Sequence, residues 1–364
     1  MQTVALYVFL TAGAVALAAQ VKKDAEPGSR QAYLNRLFLY ALFMLLYIPA
    51  ALRIYTGNDY RTYIEHFHDV NVGNYVVTEP GFNAVVKGVF YAFGGEYFMI
   101  PFAVFSFITV LFFLKGIYEL SAEFYLGIFL FMTLGLYFTS YNTVRYYLAL
   151  SLVFYSLYHI REKRYIAFVV CVLAAALFHK TALAALLLLP VCRLKWKWPH
   201  YAGLGLLAVS GLVFREQYME LFVKLYPSYA HEEEYLAGGS LSIINIIRCA
   251  AVIALWLYVN KKEGNLSDDI YLKMNVLALI MYSCFYFVPF VSRLGYYLSV
   301  SQILILPEII KASKGRFRSF AYAGTLAAGC AYFAAFLYKA GDIYTKLLPY
   351  HSFLADTGEA VWFK

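Results

Sequence analysis

The sequence predicts an all-α polytopic membrane protein. Three observations predict it. Of 364 residues, 62% are hydrophobic and 14% charged, against about 25% charged in a soluble globular chain. The mean hydropathy is +0.63. Apolar runs of about 20 residues, the length that spans a bilayer as a helix, recur along the chain. These runs are apolar on every side and lack the alternation of a membrane β-barrel, so their backbone polar groups must pair within helices. The net charge of +8 lies mostly in short loops, which is an orientation signal, and gives no reason to expect nucleic acid as a partner. Cys171, Cys192, Cys249, Cys284 and Cys330 lie in or beside apolar runs with no CxxC pair. They read as packing residues, and no metal site or cofactor is expected.

The elements form one transmembrane domain over residues 1–364, with roughly 11–12 transmembrane or re-entrant helices. Residues 2–20 read as the first span, because neither a basic n-region nor a cleavage site marks a signal peptide. Lys22-Lys23 to Arg36, with Pro27-Gly28-Ser29, is a cytoplasmic turn region, and 36–54 is the second span. Residues 55–96 form an outer loop region with surface helices at about 60–69 and 81–93. Pro80 suits a first helical turn, and 81–93 is short for a span, so it reads as interfacial or re-entrant. Spans follow at about 97–117, 123–140 and 144–160, then a basic turn at Arg161-Glu162-Lys163-Arg164, then 165–179. The apolar run continues to Pro190 and to the basic cluster Arg193 to Lys197. A straight helix would carry that cluster outside, against the charge rule, so the chain is expected to turn at His179 and descend in a short helix. The remaining spans are 201–214, 241–259, 270–289, 294–310 and 319–338. Between the first two lies a second outer loop, 215–240, holding His231 and Glu232 to Glu234. The C-terminal tail is expected outside.

A charged residue within a span costs a few kcal/mol and faces a cavity or a partner. In this topology Arg53, Arg145, His179, Arg248 and Arg293 all fall in the outer half. A one-sided cationic cavity is an anion site, and the planar fork of arginine suits phosphate. Asn142, Arg145, Ala149, Leu152, Ser156 and His159 recur at helical spacing as one partly polar stripe, as do Arg293, Tyr296, Tyr297 and Ser301. Asn245 lies three residues before Arg248. Arg53 also fits a snorkelling residue at the outer headgroups, and Arg248 a structural ion pair. Asp59 and Glu79, at the two ends of the first outer loop, are the carboxylates best placed to take a proton from a hydroxyl while cations stabilise a departing group. Glu79 equally fits a helix cap ahead of Pro80. His68 and Glu65 are expected to face water, and His66 with His68 does not make a metal site.

Several of these segments resemble the EpsG-type, Wzy-like family of bacterial polysaccharide polymerases. The likeness rests on Gly57-Asn58-Asp59-Tyr60 with Tyr63, Glu79-Pro80-Gly81-Phe82, and Asn142 to Arg145 with Ala149. It continues with Phe178-His179-Lys180-Thr181-Ala182-Leu183, with Arg293 and Tyr296-Tyr297, and with Leu306-Pro307. The set covers most of the chain in the family's order. Tyr146 departs from the pattern, which has a Gln after the Arg in many relatives. The resemblance implies a GT-C-like multi-span glycosyltransferase that needs no nucleotide sugar. It implies polymerisation of O-antigen or exopolysaccharide repeat units, carried on undecaprenyl diphosphate, at the periplasmic face of the bacterial plasma (inner) membrane. The implied partners are the lipid-linked oligosaccharide, membrane lipids and a chain-length regulator. Taken with the residue reading above, Arg145 and Arg293, helped by Arg248, are expected to bind the diphosphate, Asp59, then Glu79, to serve as base, and His179 to join the cations or relay a proton. Asn142, Tyr296 and Tyr297 contact substrate. A flippase for lipid-linked sugars and an O-antigen ligase-type transferase are the alternatives. The first calls for a cavity open to both sides and inverted repeats, and the sequence has polar residues on one side and no repeat.

Overall fold

The computed structural model describes residues 2–225, 241–264, 266, 270–288, 291–343 and 345–354. Four helices among them are long and apolar enough to cross a membrane: Arg30–Ala51, Met99–Leu120, Ile243–Glu263 and Gly315–Lys339. Shorter apolar helices accompany them, so the protein is an all-α, multi-pass membrane protein. Its contacts divide it into two units, Met1–Leu183 with Gly315–Lys364, and Ala184–Lys314.

The first unit begins with α1 (Gln2–Ala19) packed against α2 (Arg30–Ala51). The Ser29 hydroxyl accepts the Ala32 N–H at 3.1 Å and fixes the start of α2. After α2 the chain enters β1 (Arg53–Ile54), which pairs antiparallel with β2 (His351–Ser352). This clasp of the tail was not anticipated by the hydropathy pattern. Arg53 does not take the snorkelling alternative. Its side chain is 1% exposed, lies between the rings of Phe102 and Tyr141, and donates to the carbonyls of Ala50 and Tyr141 and to Ser106 Oγ. It is a staple between loop and helix ends.

Next comes α3 (Tyr60–Val72), with Tyr60, Tyr63, Phe67 and Val70 buried at three- and four-residue steps. It is three residues longer than the sequence suggested, ending on Gly73 in the left-handed region. Pro80 opens α4 (Pro80–Phe93) as expected. The centre of the unit is the pairing of α5 (Met99–Leu120) with α8 (Val144–Arg161). A Cβ on Gly116 would lie 2.7 Å from the Phe154 ring, which is how closely those two helices approach.

The span expected over 123–140 is two pieces, α6 (Phe124–Thr133) and α7 (Leu136–Thr139). Gly135 between them has φ +74, a conformation that breaks an α-helix and costs a glycine little. The helix α9 (Tyr165–Ala176) stops short of His179. A 3-10 helix at Lys180–Leu187 and the short α10 (Leu188–Arg193) follow, so a break does occur at His179. The long α17 (Gly315–Lys339), reached after the second unit, packs on α6.

The second unit holds α11 (Trp198–Val213), α12 (Arg215–Leu225), α13 (Ile243–Glu263) and α14 (Ile270–Cys284). It ends with α15 (Val291–Ser299) and α16 (Gln302–Ala312). Part of the expected outer loop 215–240 is helical: Arg215 begins α12 and stacks on Tyr286 and Phe287. The rest of that loop, with His231 and Glu232 to Glu234, lies outside the described residues, as does Pro289. The span expected over 294–310 is interrupted at Val300-Ser301, between α15 and α16. Lys273 is buried inside α14 and donates to the Leu194 carbonyl at 2.7 Å, satisfying the end of α10.

Candidate functional site

The first turn of α8 gathers several polar groups of the first unit. The segment before α3 lies directly on the turn before α8. A Cβ on Gly57 would sit 2.9 Å from Asn142 Cα, and Gly57 has φ +97, so only glycine fits. Two residues on, the Asp59 N–H donates to Asn142 Oδ1 at 2.9 Å. The Asp59 side chain makes no capping bond to α3.

Arg145 follows on α8. Its backbone N–H reaches the Tyr63 hydroxyl at 3.4 Å. Its Nη1 donates to Glu79 Oε2 at 2.6 Å, with side chains 19% and 10% exposed. The guanidinium carbon lies 5.4 Å from the Phe82 ring and 6.0 Å from the Tyr63 ring, a cation held among aromatic faces. Its Nε is buried and has no hydrogen-bond partner. The guanidinium therefore retains donor capacity beyond the ion pair.

Glu79 stands at the N-cap position of α4, as the sequence allowed, but its side chain is turned elsewhere and makes no capping bond. Oε2 takes Arg145, and Oε1 accepts the backbone N–H of Lys180 at 3.1 Å. The Gly81 N–H also donates to Leu177 O at 2.8 Å, and a Cβ on Gly81 would lie 2.8 Å from that oxygen. The start of α4 is thus clamped to the end of α9, and the clamp presents Glu79 to Arg145. Each carboxylate oxygen of Glu79 is thus bonded to a protein donor. His179 lies one residue from this clamp. Its Nδ1 is 2.7 Å from Thr181 Oγ1 and its ring is 5.3 Å from that of Tyr146, nearly perpendicular. The structure brings Asp59, Glu79, Asn142, Arg145 and His179 to one end of α8.

One residue of this site escaped the sequence reading. His66, on α3, is partly buried, and its ring stands 6.4 Å from that of Tyr63. Burial lowers its pKa first, and the Arg145 charge lowers it further, while Asp69 and Glu65 act in the opposite direction. The signal was available: His66 stands three residues after Tyr63 and one before Phe67, beside the buried stripe of α3. His68 instead points outward, 58% exposed, and pairs with Glu96 at 3.0 Å. Among the described residues no three His, Cys, Asp or Glu side chains gather to hold a metal ion.

The other sequence candidates belong to the second unit. Arg248 donates from Nε and Nη2 to Gln302 Oε1 at 3.1 and 2.6 Å, and from Nη1 to Asn245 Oδ1 at 3.4 Å. Gln302 passes the chain on to Asn275 Oδ1 at 3.1 Å, and Asn275 donates to Ser301 Oγ at 3.0 Å. This network ties α13, α14 and α16 together and engages the backbone break before α16. Gln302 and Asn275 carried no signal beyond being polar within apolar runs. On α15, Tyr297 is buried, and Arg293 and Tyr296 are half-buried. Gly295 packs on the Tyr282 ring, where a Cβ would come within 2.4 Å.

The family model that matches this chain is that of the EpsG family, over residues 36–352. No curated protein and no solved structure matches.

Proposed function

We propose that this chain, which belongs to the EpsG family, is a polymerase that joins undecaprenyl-diphosphate-linked repeat units into a cell-surface polysaccharide. The proposed place is the periplasmic face of a bacterial plasma membrane, where the lipid-linked oligosaccharide is the substrate. The observation that carries the reading is Arg145: a cation at the start of an apolar helix, aimed by Glu79, with a buried Nε left without a partner.

In the proposed reaction the acceptor hydroxyl oxygen forms a bond to the anomeric carbon of the growing chain. The bond from that carbon to the diphosphate oxygen breaks, and its electron pair leaves with the lipid diphosphate. Asp59 receives the hydroxyl proton. Arg145 carries the charge that develops on the leaving group, a task for which a fixed donor in a dry site is strong. Glu79 positions Arg145, and His179 steadies the same corner through Thr181 and Tyr146. Arg293, Tyr296 and Tyr297 enter the proposal from the sequence pattern alone, as diphosphate and sugar contacts. We assign Arg248 to the fold of its own unit, because Gln302 and Asn245 occupy its nitrogens. A chain-length regulator is the protein partner this activity calls for.

The test is purified protein in a bilayer with a lipid-linked repeat unit, scored for a ladder of lengthening glycans. A ladder supports the polymerase, and its absence with movement of the lipid-linked sugar between leaflets supports a flippase instead. Transfer of finished polymer to a non-lipid acceptor, with no ladder, supports the ligase.

A further inference from the structure

We propose that His66 is a second ligand for the anion that Arg145 receives, donating from Nδ1, so that diphosphate binding draws a proton onto the imidazole. The inference rests on the reading of Arg145 as the diphosphate residue. It names a ligand that the resemblance does not include.

Three features of the geometry carry it. The Tyr63 ring neighbours both groups: it lies 6.4 Å from the His66 ring, edge-on at 88°, and 6.0 Å from the Arg145 guanidinium carbon. The Tyr63 hydroxyl also receives the Arg145 backbone N–H, which pins α3 to the first turn of α8. Third, His66 Nδ1 and Arg145 Nε are both buried and without a hydrogen-bond partner. Buried nitrogens without partners are rare in folded proteins, and each calls for an explanation. In the proposal, one bound oxyanion accepts from both nitrogens and accounts for the two together.

The electrostatics fix the direction of the coupling. Without an anion, burial and the Arg145 charge disfavour a second cation, and His66 is held neutral at pH 7. The charged groups around it are Arg145 from α8, Glu65 and Asp69 from α3 itself, and Glu79 at the start of α4, which acts on Arg145. The start of α5 presents the rings of Phe98 and Phe102 to the buried face of α3. A bound diphosphate reverses the local field and raises the His66 pKa. By linkage, affinity is highest at pH values below the free-site pKa and falls as pH rises through the pKa of the complex. The same coupling suits the reaction, because the charge on the diphosphate grows as it leaves.

The experiment is calorimetric titration of the full chain in lipid nanodiscs with inorganic pyrophosphate. It is run at pH 6 and pH 8.5 in buffers of different ionisation heat, which counts the protons taken up. His66→Gln, which removes the donor at Nδ1, is compared with His66→Asn, which keeps a neutral donor near that position. Monodisperse elution establishes that each variant is folded. The expected result is that His66→Gln binds about tenfold more weakly than wild type at pH 6, the worth of one charge-assisted hydrogen bond, and within about twofold at pH 8.5. It also takes up fewer protons than wild type. His66→Asn keeps the pH 8.5 affinity and loses the gain at pH 6. Wild-type affinity and proton uptake in both folded variants overturns the proposal, as does wild-type protein that does not bind pyrophosphate. A glycan ladder with binding independent of His66 leaves the polymerase reading and removes this inference. Binding with His66-dependent proton uptake, but no ladder, does the reverse.

Discussion

Arg145 in the first unit and Arg248 in the second are both arginines set in apolar helices, and their surroundings differ. Arg145 meets a carboxylate through one nitrogen, lies among aromatic faces and has an unpartnered Nε. Arg248 directs Nε, Nη1 and Nη2 to the side-chain amides of Gln302 and Asn245. A guanidinium whose donors are taken by fixed amides holds helices together. A guanidinium aimed by one carboxylate, with donors left over, can take a further acceptor. The contrast shows that the cost of placing arginine in an apolar helix says only that a partner exists. In the proposed reading, the kind of partner separates a binding residue from a structural one.

If that contrast holds, changes around Arg145 lower turnover in amount-matched protein, and changes around Arg248 lower stability. Asp59→Asn is the largest expected effect. Removing the proton acceptor lowers the rate of ladder formation by about 100-fold or more, and an unchanged rate would take the base role away from Asp59. Glu79→Gln comes next. The amide keeps the shape of the clamp and loses the charge that aims Arg145, so kcat falls by about tenfold while KM holds or falls. A raised KM at unchanged kcat would mean that Glu79 contributes only to binding.

Smaller effects are expected as stability. Gln302→Leu removes the acceptor of two Arg248 donors inside the second unit and costs about 3 kcal/mol, read as a lower midpoint of unfolding in detergent. The double change Arg248→Met with Gln302→Leu recovers much of that loss, because replacing both members of a buried polar pair is tolerated better than stranding one. If the double variant is as unstable as the single one, the network is not acting as a unit. Gly81→Ala is the smallest. Its methyl group meets Leu177 O at 2.8 Å, which costs about 1–2 kcal/mol through displacement of the clamp, with activity falling in step as Glu79 shifts.

Much of this was legible in the sequence, for identifiable reasons. Apolar runs gave the helices of the multi-pass fold, Pro80 marked the start of α4, and the charge rule called for a break at His179. The interruptions were harder to see. Gly135 breaks a helix within an apolar run, and Val300-Ser301 lies in the short polar stretch Ser299 to Gln302 inside the span expected over 294–310; left-handed backbone decides at the first and a side-chain network engages the second. The pairing of Arg53–Ile54 with His351–Ser352 joins segments some 300 residues apart, and no local signal encodes such a partner. At the site, Asp59, Glu79, Asn142, Arg145 and His179 were each singled out by cost or position. That the Glu79 side chain pairs with Arg145, and makes no capping bond to α4, depends in part on the backbone of Lys180, which no side-chain pattern reports. His66 was overlooked because a histidine on a polar surface helix reads as solvated until packing shows which face of that helix is buried.

The most direct measurement of the central claim compares Arg145→Ala with Arg248→Met for ladder formation from a lipid-linked repeat unit, in equal amounts of folded protein. The account predicts that Arg145→Ala loses the ladder by about 100-fold or more, as removal of a transition-state donor does, while Arg248→Met keeps its activity within about tenfold of wild type. A full ladder from Arg145→Ala, or the loss confined to Arg248→Met, would contradict it.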